Sequence, residues 1–182
     1  GVLDRTVTAM GARMLADWLA NPLTDRAAIN ARLGAVEELV AEVAACDAFR
    51  DQLRDVYDMQ RLLARVATGR ASPRDLSFIG RTLRRLPAIK QLLADARSPR
   101  LGQLETRLDP CPDIEQRLAQ ALVDNCPIAL REGGIIREGY HAELDSYREL
   151  ASGGKRWIAA YQAQEAARTG IPKLKIGYNK VF

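Results

Sequence analysis

The sequence predicts an all-α fold: antiparallel helices around one leucine-rich core, one long projecting helix, and a short β-like C-terminal tail. Three observations predict it. Apolar residues recur at spacings of three and four through most of the chain. Aromatic residues make up only 5% of the 182 residues, while Leu, Ala and Arg abound, a composition suited to helices rather than to a sandwich or barrel. Finally, from about Tyr140 to Thr169 runs one long helical pattern that becomes polar past Tyr161. Roughly 30 helical residues span about 45 Å, more than a compact domain of this size can cover.

The first helix is predicted from Thr8, a suitable N-cap, to Ala20, with Met14, Leu15, Trp18 and Leu19 forming an apolar stripe and Asn21-Pro22 a stop. Trp18 reads as a core anchor. The second helix starts after Thr24. Its Ile29, Leu33, Val36, Val40 and Val43 recur at four, three, four and three, with Glu37, Glu38 and Glu42 on the opposite side. A third covers about Asp47 to Val56, and a fourth about Met59 to Ala67, with Gly69 as its natural end.

Ser72-Pro73-Arg74-Asp75 is a helix start: Ser72 can cap, and Pro73 occupies the first position, where its missing N–H costs nothing. Leu76, Ile79, Leu83 and Leu86 continue the helix, and Pro87 predicts a break or kink before a further turn or two with Ile89, Leu92 and Leu93. The Arg81, Arg84 and Arg85 cluster reads as a solvated face with acidic partners nearby, in preference to a phosphate contact. Leu101, Leu104 and Leu108 make a short amphipathic helix, Asp109 to Pro112 a turn, and Pro112 to Asn125 another helix with Ile114, Leu118, Ala121 and Leu122 inward. Gly133-Gly134-Ile135-Ile136 is an extended connector. In the long helix, Tyr140, Leu144, Tyr147 and Leu150 form a stripe that Trp157, Ile158 and Tyr161 resume. Between them Gly153-Gly154 marks the softest point or a break. Tyr147, Trp157 and Tyr161 are expected to be partly bare and to favour self-association. Lys173 to Phe182 alternates partly, as a strand does.

A net charge of +4 and a pI near 9.1 are compatible with nucleic acid without demanding it. Cys46, Cys111 and Cys126 are odd in number and lack C-x-x-C spacing, which argues against a disulfide framework or zinc site and for a reducing cytoplasm. No apolar run is long enough to predict a membrane span. There is no G-x-x-x-x-G-K-[ST] phosphate loop. The one histidine, His141, starts an H-x-E, but no P-C-x-x-C follows it, so the ligands of a zinc deaminase are not met. No catalytic, cofactor or metal residue is assigned.

Several phrases, in order, carry a resemblance: LDRTVTAMGARMLADWLANPLTD, INARLGAVEEL, DMQRLLARVATGRASPRDL, GGIIREGYHAELDSYREL and RTGIPKLKIGYNKVF. Together they resemble the MutS family of DNA mismatch-repair proteins, where its core (lever) domain passes into the clamp. The resemblance implies a core/lever domain over residues 1–172 and the start of the clamp over 173–182. It implies a mechanical link between ATPase domains and a clamp that grips duplex DNA, with Lys173, Lys175, Asn179 and Lys180 as possible backbone contacts. It also implies a MutS-like homodimer, a MutL-like partner, a cytoplasmic setting, and ATP with magnesium bound elsewhere in the full-length protein. The family's mismatch-wedging Phe-x-Glu is absent. Two other classes stay open from the residues alone: a basic helical module binding nucleic acid by itself, and a helical protein–protein adaptor.

Overall fold

In a computed structural model, residues 2–171 and 173–176 are described. They form eight α-helices and one short 3-10 turn, and no strand among them. The chain divides into two compact units, Gly1–Arg137 and Glu138–Phe182.

The first unit is built on α5, Pro73–Ala94. Its start follows the sequence closely. Ser72 Oγ accepts from the Asp75 N–H, and the Asp75 carboxylate accepts from the Ser72 N–H in return, which satisfies two of the donors a helix start leaves free. Pro87 neither ends nor interrupts the helix. A proline inside a helix costs about 3 kcal/mol. Here Ile89 and Leu93, beyond it, are buried with Ala35 and Leu101, and that packing carries the helix on. The single core expected from the leucines is in fact two. Ile79 and Leu83 are buried with Leu62 of α4 (Met59–Ala67), with Leu118 of α7 (Pro112–Ala121) beside them. Ile89 and Leu93 pack with α2 (Arg26–Ala41), α3 (Val43–Arg54) and α6 (Pro99–Arg107). Leu86 touches both clusters. Thr82, 1% exposed, ties α5 to the loop between α3 and α4: its Oγ accepts from the Tyr57 N–H at 3.1 Å and donates to the Phe78 carbonyl at 2.9 Å.

The outer helices correct two expectations. In α1 (Ala9–Ala20) Thr8 caps as predicted, but no residue is buried. Trp18 is 40% exposed and lies under the Arg32 guanidinium, 3.7 Å from the ring centroid; it is a cation–π partner, not a core anchor. Arg13 holds α1 to α4 through both oxygens of Asp58, which itself caps α4. In α2 the predicted apolar stripe is only partly the inner face: Ile29 is half-buried and Glu37 and Glu42 are exposed as expected, but the rest differs. Leu33, Val36 and Val40 are exposed, whereas Ala35 is buried and Glu38 half-buried. Glu38 is drawn inward because its two oxygens accept from the Arg97 and Ser98 N–H groups at 2.7 and 2.6 Å, at the start of α6. α3 begins a turn earlier than predicted, at Val43.

α7 stops at Ala121, short of the Asn125 predicted. Leu122 turns extended and pairs antiparallel with Ile136, flanked by hydrogen bonds from Val123 to Ile135 and from Arg137 to Ala121. The Arg137 Nε also donates to the Ala119 and Leu122 carbonyls, groups that the end of a helix leaves without partners.

The second unit is α8, Ala142–Thr169, with the residues around it. It begins two residues after the expected Tyr140 and runs unbroken through Gly153 and Gly154 for 28 residues, about 42 Å. Gly170, at φ +71°, adopts the left-handed conformation that ends it. The predicted strand is not formed over residues 173–176. The Leu174 N–H goes back to the Ile171 carbonyl and the Ile176 N–H to the Gln162 side chain, so neither is offered to a neighbouring strand. The remainder of that prediction, residues 177–182, lies outside the described residues.

Candidate nucleic-acid interface

Two of the predicted backbone contacts, Lys173 and Lys175, follow the C-terminal end of α8. Gly170 turns the chain out of the helix. The Ile176 N–H then donates to Gln162 Oε1 at 3.1 Å, a return of 14 residues. Leu174 and Ile176 are half-buried, while Lys173 and Lys175, alternating with them, are exposed. Two ammonium groups are thus available to solvent on one short segment, the arrangement a phosphate backbone uses without reading sequence. Asn179 and Lys180 lie outside the described residues. Gln162 escaped sequence reasoning, because nothing in the spacing of residues links it to a segment 14 positions on.

The neighbouring cation is committed elsewhere. Arg168 donates to both oxygens of Glu165, at 2.6 to 3.1 Å, and that carboxylate raises the arginine's already high pKa. The cluster on α5 is engaged as well: Arg84 with Glu115 at 3.1 Å, Arg85 with Asp55, and Arg81 over the Tyr57 ring at 5.2 Å. For Arg84 and Arg85 this agrees with the acid-paired face read from the sequence; Arg81 is held by the ring.

At the other end of α8, His141 is the N-cap; its Nδ1 accepts from the Leu144 N–H at 3.3 Å. The Asp145 carboxylate accepts from the Gly139 N–H at 2.7 Å and from Arg148 at 2.8 Å. The H-x-E histidine is therefore used to start a helix. Among the described residues no group of three or more His, Cys, Asp or Glu is gathered as a metal would need. The three cysteines are free; Cys126 is buried, which pushes its thiol pKa up. No helix among the described residues is long and apolar enough to cross a membrane.

Fold and site define a class: an all-helical domain ending in one long, capped helix that leads into a lysine-bearing segment. Residues 1–168 match the family model for MutS domain III, and the chain belongs to that family. Over 182 residues it is 54% identical to the DNA mismatch repair protein MutS of Rhodopirellula baltica. Over 181 residues it is 48% identical to the proteins of the same name from Salinibacter ruber and Symbiobacterium thermophilum. All of this chain is covered in each case, but only 20 to 21% of each relative, so the chain spans about a fifth of the length of these curated relatives.

Proposed function

We propose that this chain is the lever segment of a MutS-like mismatch-repair protein, linking ATPase domains mechanically to a DNA-gripping clamp and carrying no catalysis of its own. The observation that carries this reading is the unbroken 28-residue helix of a MutS domain III chain, capped at both ends and followed by exposed Lys173 and Lys175. A continuous helix carries a displacement applied at one end to the other as a unit. Residues 1–172 form the core and lever in this reading, and 173–182 open the clamp, with Lys173, Lys175, Asn179 and Lys180 touching DNA phosphates. Double-stranded DNA, a second MutS-like subunit and a MutL-like partner are engaged by the full-length protein in the cytoplasm, and ATP with magnesium binds outside this segment.

The ion-paired arginines of α5 count against the alternative of a self-sufficient basic module. Fluorescence anisotropy against matched and mismatched duplexes separates the two. The lever reading expects weak binding that physiological salt abolishes, with no mismatch preference. Tight binding at physiological salt would reverse the ranking. The coupling itself is tested by hydrogen exchange in a full-length relative. Protection of the α8 segment is expected to change with nucleotide and with DNA, and indifference to both overturns the lever.

A further inference from the structure

Gly153 and Gly154 occupy the interior of α8 for no steric reason found in this chain. A Cβ built on either meets nothing within 4 Å, and neither has a positive φ. Each weakens a helix by about 1 kcal/mol relative to alanine. The residue before them adds to the weakness. Ser152 Oγ donates to the Glu149 carbonyl at 3.1 Å, a back-bond that competes with the helical ladder; Ser146 makes the same bond to Glu143 at 2.8 Å, but with no glycine beside it. The flanking Leu150 and Trp157 are 71% and 65% exposed, so their side chains do little to clamp the helix across this point.

Both sides of the weak point are braced. Toward the N-terminus stand the His141 cap and the Asp145–Arg148 pair. Toward the C-terminus stand the stacked Trp157 and Tyr161 rings (centroids 5.2 Å apart), the Glu165–Arg168 pair, the Gln162 anchor and the Gly170 cap. Across the glycines the described side chains supply one long contact, from the Arg156 guanidinium to Ser152 Oγ at 3.5 Å; well-braced ends around a lightly held middle describe a joint.

We infer that Ser152-Gly153-Gly154 is a hinge that divides α8 into two rods, residues 142–151 and 155–169, roughly 15 and 22 Å long at 1.5 Å per residue. The hinge is a property of the helix itself; its use rests on the lever reading. In that use, a displacement entering one end leaves the other as a change of angle at residues 152–154.

The test is residue-resolved hydrogen exchange on this chain, as it stands and as G153A/G154A. The amides of residues 155–158 bond back across the glycines, to carbonyls four residues earlier. They are expected to exchange at least about tenfold faster than those of residues 159–166. The paired alanines are expected to slow them about 30-fold, as two Gly-to-Ala steps imply, and to leave Leu83 of α5 unchanged. Protection uniform along α8, or alanines that slow every α8 amide equally or none, overturns the hinge. The lever reading fails separately, through the nucleotide and DNA insensitivity described above, and a hinge found on this chain survives that failure.

Discussion

α5 and α8 are the two longest helices, 22 and 28 residues, and they hold their shape by different means. α5 buries Ile79, Leu83, Ile89 and Leu93 and tolerates a proline in its interior. α8 has no fully buried residue where burial is described, and tolerates two glycines. Its order comes from local devices: a cap at each end, ion pairs three residues apart and one stacked aromatic pair. Each such device is worth tenths of a kcal/mol to about 1, whereas a buried leucine is worth several times that. Helix length says nothing of helix stability here. The shorter helix is held by the core, and the longer one by contacts within itself.

The sharpest way to break this contrast is to remove the same side chain from each helix. Leu83→Ala, at a site 6% exposed, is expected to cost about 2–5 kcal/mol. Leu150→Ala, at a site 71% exposed, is expected to stay within about 0.5 kcal/mol. Urea titrations followed by far-UV circular dichroism give both numbers. Equal losses would show that α8 is held by packing after all.

The same division separates what the sequence made legible from what it hid. Local chemistry was legible: the bounds of α4, the Ser72-Pro73-Asp75 start of α5, the Thr8 cap and the end of α8 at Thr169 all follow from short-range rules. Which face turns inward was not. The valine stripe of α2 has a clean helical period, yet Ala35 and Glu38 face the neighbours, because two backbone N–H groups about 60 residues on need a carboxylate. The continuity of α5 past Pro87 was hidden for the same reason, since the packing of Ile89 and Leu93 is a long-range fact. At the candidate interface the lysines were legible as charge. The Gln162 contact that fixes their segment was not, being a single long return with no motif.

Asp75 sharpens the comparison: a cap on the buried helix is expected to be worth more than one on the exposed helix. Its side chain accepts from Ser72 and from Arg65, at 2.8 to 2.9 Å, and the residue is 5% exposed. Asp75→Ala leaves these donors without an acceptor and is expected to cost about 1–3 kcal/mol. The Ser72 backbone hydrogen bond, followed by the other Ser72 and Arg65 contacts, holds the carboxyl below the usual aspartate range. A lowered folded-state pKa stabilises fully above the unfolded value, and the gain is lost as pH falls through the folded one. Wild type should therefore lose this increment from about pH 4 downward. The variant, having none to lose, should show a shallower acid slope. Parallel acid slopes in denaturant midpoints would remove Asp75 from the account.

Smaller again is the C-terminal stop of α8. Gly170→Ala forces a side chain into φ +71° and is expected to cost about 1–2 kcal/mol of local stability. The loss should be read as faster amide exchange over residues 166–170, with α5 unaffected. An effect on the whole molecule would mean that α8 contributes to the global transition.

The smallest effect expected of a cap lies at the other end of α8. His141 caps through Nδ1, an acceptor only in the neutral ring tautomer that carries its proton on Nε2. The contact is long, 3.3 Å, and the Asp145 carboxylate already serves the neighbouring Gly139 N–H. His141→Ala is expected to cost about 1 kcal/mol or less, seen as faster exchange of the Leu144 and Asp145 amides. His141→Asn, which supplies the oxygen acceptor favoured at this position, should restore or exceed wild-type protection. If asparagine restores nothing, the first turn of α8 is held by Asp145 rather than by His141, and the braced N-terminal rod of the proposed hinge rests on that carboxylate and its pair with Arg148 alone.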